Sequence, residues 1–260
     1  MSSVPSSSLG AGKHRRMRRI LQSDGRTVIL AADHAGYLGQ GPPHGRAVER
    51  LMAGHPDAVL ATWQLARSVP DLLAPAGLIL RVDGGFSELG ELPPGDVSAI
   101  LHRAESALRL GADAVAVMAF PGAPDEHRSL VRLAELCTEC EGLGMPVMAE
   151  VVPGGWARAV EWTTVTVARG ARIAAELGAD IVKTVCPGDP TGFAEVVEAC
   201  PVPVVALGGP KSGSENEVVD LAAGVVAAGA AGIAFGRNLW GSPDPAALLG
   251  RLRAAVHGAA

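Results

Sequence analysis

Lys183 ends an apolar run, Gly178-Ala-Asp-Ile-Val-Lys-Thr184, so a strand here sets an amine at the mouth of the core it helps to build. A lysine in apolar surroundings has its ammonium form disfavoured, and the free amine can then attack a ketone or aldehyde to form a Schiff base. The same run also fits a lysine that caps the strand and reaches back to water. Other ionisable groups follow apolar runs in the same way: Asp33 and His34, Asp83, and Glu150. Leu207-Gly-Gly-Pro-Lys211 and Phe235-Gly-Arg-Asn238 are tight turns, each with a cation beside exposed backbone N–H groups. Gly208, Gly209, Lys211, Gly236 and Arg237 are therefore candidates to hold a phosphate.

These groups act together only if the strands that carry them end at one rim. Short apolar runs alternate with Gly/Pro/Asp turns and amphipathic segments, which predicts eight strands at Val28–Ala32, Ala58–Ala61, Leu78–Val82, Ala114–Ala119, Val147–Val151, Ile181–Lys183, Val204–Leu207 and Gly232–Phe235. Leu130, Leu133 and Leu136, and Val97, Ile100, Leu101, Ala104 and Leu108, recur at helical spacing. Strands alternating with helices imply a parallel sheet with right-handed crossovers. No GxGxxG turn follows the first strand, which is followed by Asp33-His-Ala-Gly36, and the Gly-rich turns follow the last two strands. Both features favour an α/β fold closed into a (β/α)8 TIM barrel, with its active site at the carboxyl ends of the strands.

Composition agrees with that choice. The 260 residues suit one domain, and 48% hydrophobic with only 3% aromatic content calls for a core of small and branched side chains. Residues 1–12 are small and polar and are expected to be a disordered tail, with the barrel over 13–260. The basic cluster Lys13-His-Arg-Arg-Met-Arg-Arg19 reads as a solvated helix face. A net charge of −5 gives no reason to expect a nucleic-acid partner, and no run is long and apolar enough to suggest a membrane span. Cys137, Cys140, Cys186 and Cys200 read as reduced thiols of a cytoplasmic protein. The Cys137/Cys140 pair lacks a second pair or a histidine at ligand spacing, so no metal is expected.

The motifs also carry a resemblance. Asp33-His34, Asp180-Ile-Val-Lys-Thr184, Gly208-Gly-Pro-Lys211 and Gly236-Arg-Asn238, in that order, resemble class I aldolases of the archaeal fructose-bisphosphate aldolase type, from about Gly12 to the end of the chain. That group includes the aminodideoxyheptulosonate synthases and the thiolase that degrades phosphorylated autoinducer-2. Gly12-Lys-His-Arg-Arg-Met-Arg-Arg-Ile20 is similar to the synthases, whereas Arg172-Ile-Ala-Ala-Glu-Leu-Gly178 and Cys200-Pro-Val-Pro-Val204 are more similar to the thiolase. The resemblance implies that Lys183 forms the Schiff base, that Asp33 assists proton transfer, and that Gly208, Gly209, Gly236 and Arg237 bind a substrate phosphate. It further implies a small phosphorylated carbonyl substrate, no cofactor beyond the lysine, and a homo-oligomer.

In the aldolases of the group a tyrosine precedes the fifth-strand proline and serves as general acid/base; here Val152 stands there. Glu150 shares the strand face of Val152 and is the first candidate to replace it. Glu150 is equally readable as a charge partner of Lys183. His34, Cys186 and Tyr37, the one tyrosine of the chain, are weaker candidates. Asp83 is expected either to bind substrate hydroxyls or to shape the Asp83-Gly-Gly85 turn. Three functions follow: a Schiff-base aldolase, thiolase-type acyl transfer from a phosphorylated diketone to coenzyme A, or a barrel that binds a sugar phosphate without catalysis.

Overall fold

The computed structural model describes residues 10–39, 46–87, 89–90, 98–188, 190–209 and 213–258. Its strands are β1 (Thr27–Ala32), β2 (Ala58–Ala61), β3 (Gly77–Arg81), β4 (Asp83–Gly84), β5 (Ala99–Ile100), β6 (Ala114–Ala119), β7 (Val147–Val151), β8 (Ile181–Thr184), β9 (Val204–Leu207) and β10 (Gly232–Phe235). Eight of them pair in parallel as β1-β2-β3-β6-β7-β8-β9-β10 and close back on β1 through the Thr27–Gly232 register. The (β/α)8 barrel expected from the sequence is therefore the fold, and helices follow the strands around it.

The remaining strands, β4 and β5, form a short antiparallel ribbon above β3. Here a sequence expectation fails. Ile100 and Leu101 do not belong to the helix with Ala104 and Leu108, which spans Ala104–Arg109; Val97 lies outside the described residues. The N–H groups of Leu101 and His102 both donate to the carbonyl of Val82, so long-range backbone pairing overrides the local spacing.

Strand parity positions everything that follows. Side chains alternate between the two faces of a strand, and the inner positions Ile29, Ala31, Ala58, Leu60, Ile79, Ala114, Ala116, Met148, Ile181, Val205 and Ala234 form one buried cluster inside the barrel. The intervening residues, such as Val28, Leu30, Val115 and Val182, face the helices in a second, larger cluster. One step of two beyond the inner set brings Asp33, Arg81, Met118, Glu150 and Lys183 to the carboxyl end, all buried.

The amino-terminal end is closed by a helix, Ala11–Ile20, whose Met17 and Ile20 join the inner cluster. Ala11 and Gly12, placed by the sequence in a tail over 1–12, are helical; residues 1–9 lie outside the described residues. The basic cluster is not simply a solvated face either. Lys13 is buried and pairs with Asp180 at 3.0 Å and with Glu141, and Arg19 donates to Asp113 at 3.0 Å. Only Arg15 and Arg18 of the cluster's arginines keep the exposure expected without such a contact.

A repeated device holds this end together. Asp57, Asp113 and Asp180 each precede a strand, and the Oδ2 of each accepts the N–H of a neighbouring strand's entry residue: Val28 at 2.7 Å, Leu78 at 2.9 Å and Val147 at 2.9 Å. A cation meets each carboxylate, Arg253 at Asp57, Arg19 at Asp113 and Lys13 at Asp180, and the His257 ring also contacts Asp57. Strand-edge N–H groups that would be orphaned are thereby satisfied.

Candidate active site

At the carboxyl end the centre is an arginine. Arg81, on the last residue of β3, sends Nε to Asp33 Oδ2 at 2.9 Å and Nη1 to Asp83 Oδ1 at 3.2 Å, while Nη2 contacts both Asp33 Oδ2 at 2.8 Å and Glu150 Oε2. Glu150 Oε1 in turn lies 2.9 Å from Lys183 Nζ, as the β7–β8 register that sets Glu150 opposite Lys183 requires. Three carboxylates are thus organised by one guanidinium and one amine. Strand-end charges in the sequence point to Asp83 and not to Arg81, which lies inside the expected strand Leu78–Val82; its place two residues before Asp83, on the same face of an extended chain, is the signal that could find it.

The surroundings of Lys183 are therefore ionic: of the alternatives the sequence leaves open, the contact fits Glu150 as its charge partner and not a purely apolar pocket. Burial pushes the Asp33 carboxyl up, but the opposing Arg81 guanidinium, helped by Lys183, wins and holds it at about 2. Burial likewise opposes the Glu150 charge, and Lys183 and then Arg81 overcome it, leaving this carboxyl below its usual range. Both groups are acceptors near neutral pH. The Arg81 guanidinium is raised by Glu150, Asp33 and Asp83 against the cost of its burial, so it stays charged.

Asp83 has both oxygens engaged, one by Arg81 and the other by the Met118 N–H at 3.0 Å. Both contacts are structural, to Arg81 and to the β6 backbone, and neither the substrate-hydroxyl use nor the Asp83-Gly-Gly85 turn accounts for them. Asp33 differs. Its Oδ1 is buried with no hydrogen-bond partner among the described residues, as is His34 Nδ1 3.6 Å away. Burial lowers the His34 pKa despite the nearby Asp33 charge, so the ring is neutral above its ordinary range. Two unsatisfied polar atoms at one point can receive a bound hydroxyl or water.

Tyr37 lies at the same mouth, its ring 5.9 Å from His34, 5.7 Å from Phe86 and 5.9 Å from Trp156. It packs on the cluster Met118, Phe120, Ala123 and Val152, so the ring borders the position of the absent tyrosine. Burial, reinforced by Asp33 and Glu150, raises its pKa well above 10, which keeps the phenol protonated and able to donate. Cys186 packs against the helix-facing core.

The two glycine turns meet across β9 and β10. Arg237 Nη2 donates to the Gly209 carbonyl at 2.9 Å, and Asn238 Nδ2 to that of Gly208 at 3.2 Å. Gly236 must be glycine, since a Cβ there would sit 2.6 Å from both His34 Cε1 and the Ala31 carbonyl oxygen. Arg237 is exposed beside these turns; Lys211 lies outside the described residues. Among the described residues no cluster of His, Cys, Asp and Glu could hold a metal ion. Burial pushes the thiols of Cys137 and Cys140 up to about 12.

The chain is similar to known proteins over nearly its whole length. Residues 27–242 match the family model described as DeoC/LacD family aldolase. The chain is 36% identical to 2-amino-3,7-dideoxy-D-threo-hept-6-ulosonate synthase 1 of Archaeoglobus fulgidus, over 95% of this chain and 92% of that protein. It is 35% identical to the 3-hydroxy-5-phosphonooxypentane-2,4-dione thiolase of Photorhabdus laumondii, over 95% and 82%. A solved archaeal fructose-1,6-bisphosphate aldolase, with its catalytic lysine covalently bound to the carbinolamine intermediate of the substrate, superposes with a TM-score of 0.83 at 30% identity, over 95% of this chain and all of the other (100%). The chain belongs to the DeoC/LacD family of aldolases, enzymes that make and break carbon–carbon bonds through a lysine Schiff base.

Proposed function

We propose that Lys183 is the Schiff-base lysine and that the donor is a small phosphorylated ketone or ketose. The observation that carries this reading is the 2.9 Å contact between Lys183 Nζ and Glu150 Oε1 at the rim where Asp33 keeps a free oxygen. Glu150 accepts the ammonium proton, which frees the Nζ lone pair to attack the carbonyl carbon. The resulting carbinolamine loses its hydroxyl as water, taking the proton back from Glu150. Asp33, held at about 2, stays ionised and supports the positive iminium, and its free Oδ1 takes the α-proton as the enamine forms. Arg81 acts as a positioning residue that fixes Asp33, Asp83 and Glu150.

In the carbon–carbon step the Tyr37 phenol donates to the oxygen of the carbonyl under attack, from the side of Val152. The turns of Gly208, Gly209 and Gly236, with Arg237 and Lys211, hold the donor phosphate. This chemistry calls for no metal or organic cofactor, and we place it in a cytoplasmic homo-oligomer, a state that sedimentation would check. Borohydride trapping with dihydroxyacetone phosphate, followed by peptide mass spectrometry, tests the reading: an adduct on Lys183 is expected, and its absence overturns it.

A second reading keeps Lys183 and transfers an acyl group from a phosphorylated diketone to coenzyme A. The identity to the thiolase and the valine at 152 favour it. Thioester formation on adding free coenzyme A would decide for it. The non-catalytic reading finds no such support in a chain of this family.

A further inference from the structure

The chain has few aromatic residues, 4 Trp, 1 Tyr and 4 Phe in 260, yet several of them crowd one side of the catalytic mouth. Trp156 is the centre of the group. Its ring centroid lies 5.5 Å from Phe86, 5.8 Å from Phe120 and 5.9 Å from Tyr37. Beneath these rings are Met118 and Val152, which continue the inner faces of β6 and β7. This wall therefore stands on the β6–β7 side of Lys183, whereas the glycine turns with Arg237 stand on the β9–β10 side.

The two sides suit different chemistry. A phosphate needs exposed N–H groups and a cation, which the β9–β10 turns offer. The aromatic wall offers ring faces, whose partial negative charge disfavours an anion. Trp156, Tyr37 and Phe86 are all partly exposed, so the rings present surface at the mouth. The wall also carries one unmet polar need, because Trp156 Nε1 is buried with no hydrogen-bond partner among the described residues. A cation does stand nearby, Arg158, stacked 4.3 Å over the ring of Trp162. Trp162 itself has its Nε1 committed to the Pro153 carbonyl at 2.9 Å.

We infer that the second substrate, the aldehyde that joins the lysine-bound donor, binds against Trp156, Phe86 and Tyr37 and carries an uncharged apolar or aromatic group in place of a phosphate. The inference rests on the Schiff-base reading above and specifies its acceptor. In the step it concerns, the enamine carbon bonds to the aldehyde carbon, the carbonyl π pair moves to oxygen and takes the phenol proton of Tyr37, the α-proton held by Asp33 restores the phenol by way of solvent, and water then hydrolyses the iminium to release the product and the lysine. In a hydrophobic pocket even one methylene more or less changes the preference by roughly 10- to 200-fold.

The test measures kcat/KM for aldol addition of dihydroxyacetone phosphate to phenylacetaldehyde, isovaleraldehyde and glyceraldehyde 3-phosphate. The apolar aldehydes are expected to exceed the phosphorylated one by about 10-fold or more. Trp156→Ala should reduce that ratio several-fold while leaving borohydride trapping of the donor on Lys183 intact. Phe86→Ala serves the same purpose if the tryptophan variant does not fold. Preference of the wild-type protein for glyceraldehyde 3-phosphate, or no turnover with the apolar aldehydes, overturns the inference. Failure of the donor adduct to form overturns the Schiff-base reading instead, so the two failures are told apart.

Discussion

Both ends of this barrel bury carboxylates against cations, and they use the same residue types to opposite ends. At the amino-terminal end Asp57, Asp113 and Asp180 each spend an oxygen on a strand N–H and meet a cation from a flanking helix. At the carboxyl end Asp33, Asp83 and Glu150 bind no strand-entry N–H; they converge on Arg81 and, through Glu150, on Lys183. The first network is closed, because its donors and acceptors are matched within the fold. The second is open, because Asp33 Oδ1 and His34 Nδ1 are left for something that binds. The carboxyls show the same contrast: burial wins at Asp180 and pushes it up despite Val147 and Lys13, whereas at Asp33 the guanidinium wins and holds it at about 2. Ion pairs at one end of a barrel support the fold and at the other the chemistry, and the difference lies in which atoms remain unpaired.

The largest expected effect breaks the open end alone. Lys183→Met should lower turnover by at least about 10⁴-fold and abolish borohydride trapping, with little change in the urea midpoint because Glu150 keeps Arg81. Arg81→Leu should cost both activity and stability, about 3–5 kcal/mol by urea denaturation at pH 7, since three buried carboxylates lose their shared cation. Tyr37→Phe should slow turnover by roughly 10²-fold while the Lys183 adduct still forms, a split that steady-state kinetics and trapping together detect.

Asp180→Ala is the converse experiment at the closed end. It strands the Val147 N–H and one contact of Lys13, so a loss of about 2–3 kcal/mol is expected, with kcat within about 2-fold of the parent. The smallest effect is in pH. The Asp33 carboxyl falls from 3.8 to about 2 on folding, so it stabilises the native state fully above 3.8 and loses that contribution as pH drops toward 2. The shift corresponds to about 2 kcal/mol. Wild-type urea midpoints should therefore fall between pH 4 and pH 2, and an Asp33→Asn variant should show a shallower fall.

Much of the fold was legible because it depends on local period and order. Alternating apolar runs and turns located all eight barrel strands to within a residue at each end, since a buried parallel strand must be apolar along its whole length. The Ile100–Leu101 segment misled because its backbone is claimed by Val82, a partner that helical spacing does not register. The basic cluster misled for a similar reason: Lys13 is buried by contacts with Glu141 and Asp180, far away in the chain.

The sequence by itself determined the parallel barrel and the lysine, carboxylates and glycine turns at its carboxyl end, because strand order and strand ends follow from chain order. Only the tertiary structure decided what those groups touch. It set Arg81 among three carboxylates, decided between the two roles open to Glu150 by pairing it with Lys183, and brought Tyr37 from the first loop to the cluster that contains Val152. Those relations arise from barrel closure and cross-strand register, which bring distant segments within hydrogen-bond reach and leave no trace in local spacing.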